Sequence, residues 1–243
     1  MRRTKGKQHL GIWIAAAVIL LAAILFLSVH VTSVTVTGSK RYTAEQLDGI
    51  LFPERWDKNS IYLYFKDRFR PHRQIPFVDD YKLVFHGPTK LEVIVYEKDI
   101  VGYVSDMSSY MYFDRDGIVV ESSSSKLEGV PWITGLHFGQ LILHRPLPVE
   151  DQTVFQDILN LTQQLSLHQL SVDRIEYNSH KKATLYMGEM EVTLGDDTNI
   201  DSKISVLSDI LAAQPQLVGI PGVIELENYN EEGIGGGITF KKK

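Results

Sequence analysis

The sequence predicts an α+β protein built as an N-terminal transmembrane helix, a small βααββ domain, and a larger, mostly antiparallel β domain with two helices. Three observations predict it. A short basic tail is followed by an uncharged apolar run from Leu10 to Val29. Strand and helix periodicities then follow one another as strand, helix, helix, strand, strand over residues 30–101. After residue 101, short runs of alternating residues bounded by turn signals outnumber helical stretches, of which only two stand out.

The tail, residues 1–9, carries Arg2, Arg3, Lys5 and Lys7. At roughly 1.5 Å per residue, about 20 apolar residues match a hydrocarbon core of about 30 Å. A cleaved signal peptide is the alternative for residues 10–29. Its apolar region is usually about 7 to 15 residues, and Ser28-Val29-His30 is a poor small-x-small cleavage site. The expectation is therefore a single-pass protein of the cell membrane, with a cytoplasmic N-terminus and an extracytoplasmic C-terminal part.

Composition narrows the chemistry. The 243 residues are 44% hydrophobic and 23% charged, ordinary values for a folded protein with a packed core. There is no cysteine, which excludes disulfides, thiolate nucleophiles and Cys-ligated metals. The formal charge is −5; the tail holds +4 and Lys241–Lys243 hold +3, so residues 8–240 carry −12. That balance repels phosphate backbones and anionic headgroups, and makes nucleic acid a poor partner.

In the smaller domain, residues 30–101, Val31, Val34 and Val36 read as a strand ended by Gly38. Thr43 and Gln46 have capping-box spacing, with Leu47, Ile50 and Leu51 as the apolar stripe of the helix and Pro53 beyond its end. IYLYFKDRFR places Ile61, Phe65 and Phe69 on one face of a second helix. FVDDYKLVFH and KLEVIVYEK are strands joined across His86-Gly87-Pro88-Thr89. This order resembles a POTRA domain.

In the larger domain, residues 102–243, strands are expected at YVSD, SYMYFD, GIVVES, GVPWITGL and QLILH. A helix follows Pro146 and Pro148 with Val154, Ile158, Leu161 and Leu165 in register. Strands DRIEYN, KATLYMG and MEVTLG, a helix over about residues 201–213, and strands GVIELENY and GITF complete it.

Two pieces mimic catalytic motifs. Asp114-Arg-Asp116-Gly117 follows an apolar run as a phosphotransferring Asp does, but an Asp/Gly turn between two apolar runs is a strong hairpin signal. Ser123 and Lys126 fit S-x-x-K inside a four-serine run, without the companion S-D-N and K-T-G signatures. The eight histidines show no zinc-binding helix spacing, His137 and His144 included. Glycines 233, 235, 236 and 237 fail G-x-G-x-x-G because Ile238 takes the last position. The expectation is no enzyme: no catalytic residues, no cofactor and no metal.

Ordered over nearly the whole chain, VTVTGSKRYTAEQL, IPFVDDYKLVFHGPTKLEVIVYEKDIVGYV, YFDRDGIVVES, GVPWITGL and MEVTLGDDTNIDSKISVLSDIL resemble the FtsQ/DivIB family of bacterial cell-division proteins. The resemblance implies a divisome scaffold at the division septum. It would bind FtsL-like and DivIC/FtsB-like partners outside the membrane and act indirectly on the septal peptidoglycan synthase complex. Independently, GITF reads as a possible edge strand that takes a partner strand by β-augmentation. Tyr229, Gly237, Ile238, Thr239 and Phe240 are the residues expected to touch that partner, with Lys241–Lys243 as possible edge protection. Two alternatives stay open: a membrane-anchored surface phosphatase or acyltransferase using Asp114 or Ser123, and a single-POTRA secretion or sensory protein.

Overall fold

A computed structural model describes residues 5–229 and 238–243, with the side chains of the first helix described at 12–21, 24, 26 and 28. The chain divides into two compact units, Met1–Lys98 and Asp99–Lys243.

The first unit begins with helix α1, Lys5–Ser28. The expected transmembrane helix is corrected here: among the described residues, no helix is long and apolar enough to cross a membrane. The helix starts in the polar stretch Lys5-Gly-Lys7-Gln8-His9.

Strand β1 (Ser33–Thr37), helix α2 (Ala44–Leu51), a 3₁₀ turn (Arg55–Lys58), helix α3 (Ser60–Phe69) and strands β2 (Val78–Phe85) and β3 (Lys90–Glu97) follow. The sheet order is β1-β3-β2, with β1 parallel to β3 (Ser33 opposite Lys90) and β2 antiparallel to it. Helix α2 starts at the Thr43 capping box: the Thr43 hydroxyl accepts from Gln46 N–H, and the Gln46 side chain accepts from Thr43 N–H. Its Leu47 and Leu51 meet Leu91, Val93 and Val95 of β3 in the core. Glu97 ties the loop after β1 to the end of β3 through the Ser39 hydroxyl and the Lys40 and Arg41 amides, at 2.8–3.0 Å. Burial pushes its carboxyl up, but those donors outweigh it and hold the group below the ordinary glutamate range.

The face that Ile61, Phe65 and Phe69 share is not the one that α3 buries. Leu63 is the apolar residue that α3 buries, whereas Phe65 and Phe69 are exposed. Asn59, the helix N-cap, accepts from Tyr62 N–H and fixes the rotation of the first turn. The Lys66–Asp57 ion pair at 2.5 Å and the Asp67–His72 pair at 3.2 Å hold the Leu63 side of the helix to its own unit.

Among the described residues, the second unit is a nine-stranded sheet in the order β12-β11-β10-β9-β8-β7-β4-β5-β6. The strands are β4 (Ile100–Asp106), β5 (Ser109–Asp114), β6 (Val119–Ser123), β7 (Trp132–Thr134), β8 (Arg174–Tyr177), β9 (Ala183–Met187), β10 (Met190–Gly195), β11 (Gly222–Glu225) and β12 (Thr239–Lys242). The sheet is mixed: most of its strand pairings are antiparallel, as expected, while β4–β7, β7–β8 and β10–β11 run parallel. Helices α4 (Gln152–Leu167) and α5 (Ile200–Ala213) provide the crossovers that parallel neighbours require. They bury Val154, Ile158, Leu161, Leu165, Ile204 and Leu207 in one core with Ile175, Leu185 and Val192. QLILH forms no strand: His144 takes φ +61° and its amide donates to the Val119 carbonyl, while the isolated bridges Phe138–Val149 and Ile118–Pro146 lie to either side of the segment.

Candidate functional site

Of the residues expected to touch a partner, Tyr229, Ile238, Thr239 and Phe240 are described; Gly237, like the rest of the glycine run, lies outside the described residues. Among the described residues, strand β12 sits at one end of the sheet and pairs antiparallel with β11 alone, Phe240 opposite Ile224 and Lys242 opposite Gly222. The amide of Lys243 donates to the carbonyl of Pro221 at 3.1 Å. Antiparallel ladders alternate between hydrogen-bonded and non-bonded pairs, so Lys243–Pro221, Lys241–Val223 and Thr239–Glu225 face inward. The amides and carbonyls of Phe240 and Lys242 therefore point away from β11, where no strand pairs among the described residues.

Side chains hold this edge in place. The Phe240 ring packs against the core and covers Gly222; a Cβ there would lie 2.4 Å from Phe240 Cζ, so a larger residue at 222 would dislodge the ring. Tyr229 is partly buried against the same core, and its amide donates to the Leu226 carbonyl at 3.0 Å. On the other face, Lys241 Nζ reaches Glu225 Oε1 at 2.7 Å and Lys243 Nζ reaches Glu191 Oε1 at 2.6 Å. The two lysines thus lean back over β11 and β10. Exposed pairs of this kind contribute about 0–1 kcal/mol each, so they orient the strand more than they stabilise it.

The structure assigns the enzyme-like motifs to local architecture. One carboxylate oxygen of Asp114 accepts from the amides of Asp116 and Ile118, at 3.0 and 2.9 Å, and closes the β5–β6 turn. Arg115 pairs with Asp99 at 2.7 Å. Ser123 Oγ accepts from the Ser125 amide and lies 3.1 Å from Ser125 Oγ, while Tyr112 Oη holds the loop through Ser125 O and Leu127 N. Lys126 is exposed. An Asp114→Ala chain is expected to lose about 1–3 kcal/mol, two bonds to a charged acceptor, and Asp114→Asn less than about 1 kcal/mol, as read from urea unfolding midpoints. Equal losses would mean that the negative charge, rather than the acceptor geometry, holds the turn.

A cavity of about 420 Å³ is lined by His137, Glu150, Asp151, Tyr177, Asn178 and Lys181 among others. Two of its charged groups are already engaged: Asp151 caps α4 through the amides of Thr153 and Val154 and pairs with Lys181 at 2.7 Å. The Lys181 contact, with the capping amides, holds the Asp151 carboxyl below the usual range. Among the described residues, no three His, Asp or Glu side chains converge as metal ligands.

No protein-family model matches the chain, and no curated protein matches it either.

Sequence reasoning missed the aromatic surface of α3, although the i, i+4 spacing of Phe65 and Phe69 was plain. It also missed the part Gly222 plays in seating Phe240. The signal for the latter is a glycine opposite an aromatic strand, visible only once the register is known.

Proposed function

We propose that the chain is a non-enzymatic scaffold of the bacterial cell-division machinery, as its resemblance to FtsQ/DivIB implies. Its C-terminal edge strand accepts a strand from an FtsL-like or DivIC/FtsB-like partner at the septum, and through that partner it acts on septal peptidoglycan synthesis. The observation that carries this reading is the open side of β12, where the backbone groups of Phe240 and Lys242 stand outward. A partner strand there gains backbone hydrogen bonds of about 0.5–1.5 kcal/mol net each, enough in number for a reversible, micromolar contact. The engagement of Asp114 and Ser123 in the turn and loop favours this reading over hydrolysis or acyl transfer.

The test is Lys242→Pro. Proline removes an outward amide and leaves the inward pairs of Lys241 and Lys243 intact, a substitution that edge strands tolerate. Calorimetry of the full chain with the joined extracellular segments of its FtsL-like and DivIC/FtsB-like partners should show affinity falling about tenfold or more, with thermal unfolding unchanged. Unchanged affinity would move the contact elsewhere on the scaffold. No binding by the unaltered chain would remove the divisome reading itself.

A further inference from the structure

Helix α3 turns an aromatic ridge to solvent. Tyr64, Phe65 and Phe69 are 57%, 54% and 76% exposed. The Phe65 and Phe69 rings stack at 6.1 Å, Tyr64 meets Phe65 edge-on at 5.7 Å, and Phe85 of β2 extends the row at 6.1 Å from Tyr64. Arg68 follows Tyr64 by four positions and Phe65 by three, which places it on the same side of the helix. Arg68 and Arg70 are exposed, and neither has a carboxylate partner among the described residues. With Lys66 paired to Asp57, residues 60–73 set Arg68, Arg70 and Arg73 against Asp67, a local +2 in a chain whose residues 8–240 sum to −12.

We propose that this face docks on an anionic lipid surface, with the rings entering the headgroup boundary and Arg68 and Arg70 meeting lipid phosphates. Exposed rings flanked by arginines are what a membrane-surface helix presents. Size separates this occupant from a protein. A ten-residue helix is about 15 Å long and about 10 Å across, a footprint of about 150 Å², whereas a stable protein partner needs about 800 Å² on each side. A lipid surface has no such threshold, because each ring and each charge adds its own increment. A second observation points the same way. The same unit exposes Trp13, Ile19 and Leu20 on α1, whose C-terminal end is tied to the start of α3: Ser60 N donates to Val29 O at 3.1 Å, and Val31 N to Lys58 O at 2.7 Å. The unit thus lies on a bilayer surface through α3, without requiring any helix to cross it.

The chain has no cysteine, so Phe69→Cys gives a unique site for an environment-sensitive fluorophore on the full chain. On vesicles of phosphatidylglycerol and phosphatidylcholine the emission is expected to shift to shorter wavelength. The shift should be absent on phosphatidylcholine alone and lost when Arg68→Gln and Arg70→Gln are added. Co-sedimentation run in parallel reports whether the protein is on the vesicles. Protein bound without a shift at position 69, an equal shift on neutral vesicles, or no vesicle binding would each overturn the proposal. So would a shift raised by an acidic amphipathic peptide and not by anionic vesicles, which would make the ridge a protein groove.

Discussion

A Gly135→Ala chain is expected to lose about 2–5 kcal/mol of folding free energy, a large share of the roughly 5–15 kcal/mol a protein possesses. Gly135 directly follows β7 and has φ +84°; a Cβ on it would sit 1.7 Å from the Tyr177 carbonyl oxygen and 2.7 Å from its carbonyl carbon. Those atoms belong to the end of β8, held on both sides by β7 and β9, so they cannot move aside. The left-handed backbone costs alanine about 1–2 kcal/mol, and overpacking against fixed atoms adds about 1–3 kcal/mol or more. Gly129 separates the two contributions: it has φ +74° and open space around it, so Gly129→Ala should cost only the first. Urea unfolding of both variants decides the matter, and equal losses would show that the close approach to Tyr177 carries no energy.

The second large effect is expected at Lys203. It lies on the core side of α5 between Ile200 and Leu207, is 1% exposed, and donates to the carbonyls of Leu194 and Asp196 at 2.8 and 3.1 Å. It ties the helix to the end of β10, next to the register shift between Thr193 and Gly195. Lys203→Ala removes a long buried stem and leaves two carbonyls without their donor, a loss of about 3–5 kcal/mol. Lys203→Met keeps the volume and should lose about 1–3 kcal/mol. Burial pushes the ammonium below the ordinary lysine range, against the raising influence of Asp196 and Asp197. Between that lowered pKa and the ordinary lysine value the unfolded chain holds more protons than the folded one, so stability rises with pH across this alkaline interval. Lys203→Met should flatten the rise. An unaltered slope would show that Lys203 does not titrate differently on folding.

What could be read from the sequence was local. The capping box at Thr43 and Gln46, the Asp114–Gly117 turn and the stripe Val154, Ile158, Leu161 and Leu165 each draw their signal from residues within one or two turns of chain. What could not be read depends on distant partners. The parallel pairings β4–β7 and β7–β8 leave no mark in their own short segments, and a three-residue strand such as Trp132–Thr134 carries almost no periodicity. Helix α3 misled because aromatic spacing marks an apolar face equally well whether that face turns inward or outward. A short last strand was legible at residues 237–240, two positions before the Thr239–Lys242 strand that forms; that Phe240 and Lys242 are the outward positions follows only from the register with Gly222–Glu225. Lys203 gave no warning, since a lysine in a helix ordinarily reads as a solvated charge.

The pairing of β1 with β3, and not with its nearer neighbour β2, orders events in time. Ser33 meets Lys90, a residue made 57 positions later. At about 5–20 residues per second, a ribosome takes about 3–11 s to deliver that partner. Throughout that interval the β-prone segment SVTVT is out in solution with its backbone unpaired, while the β2–β3 hairpin that will receive it has yet to be made. The amino-terminal strand is therefore the last to join its own sheet, and a chaperone has seconds in which to find it.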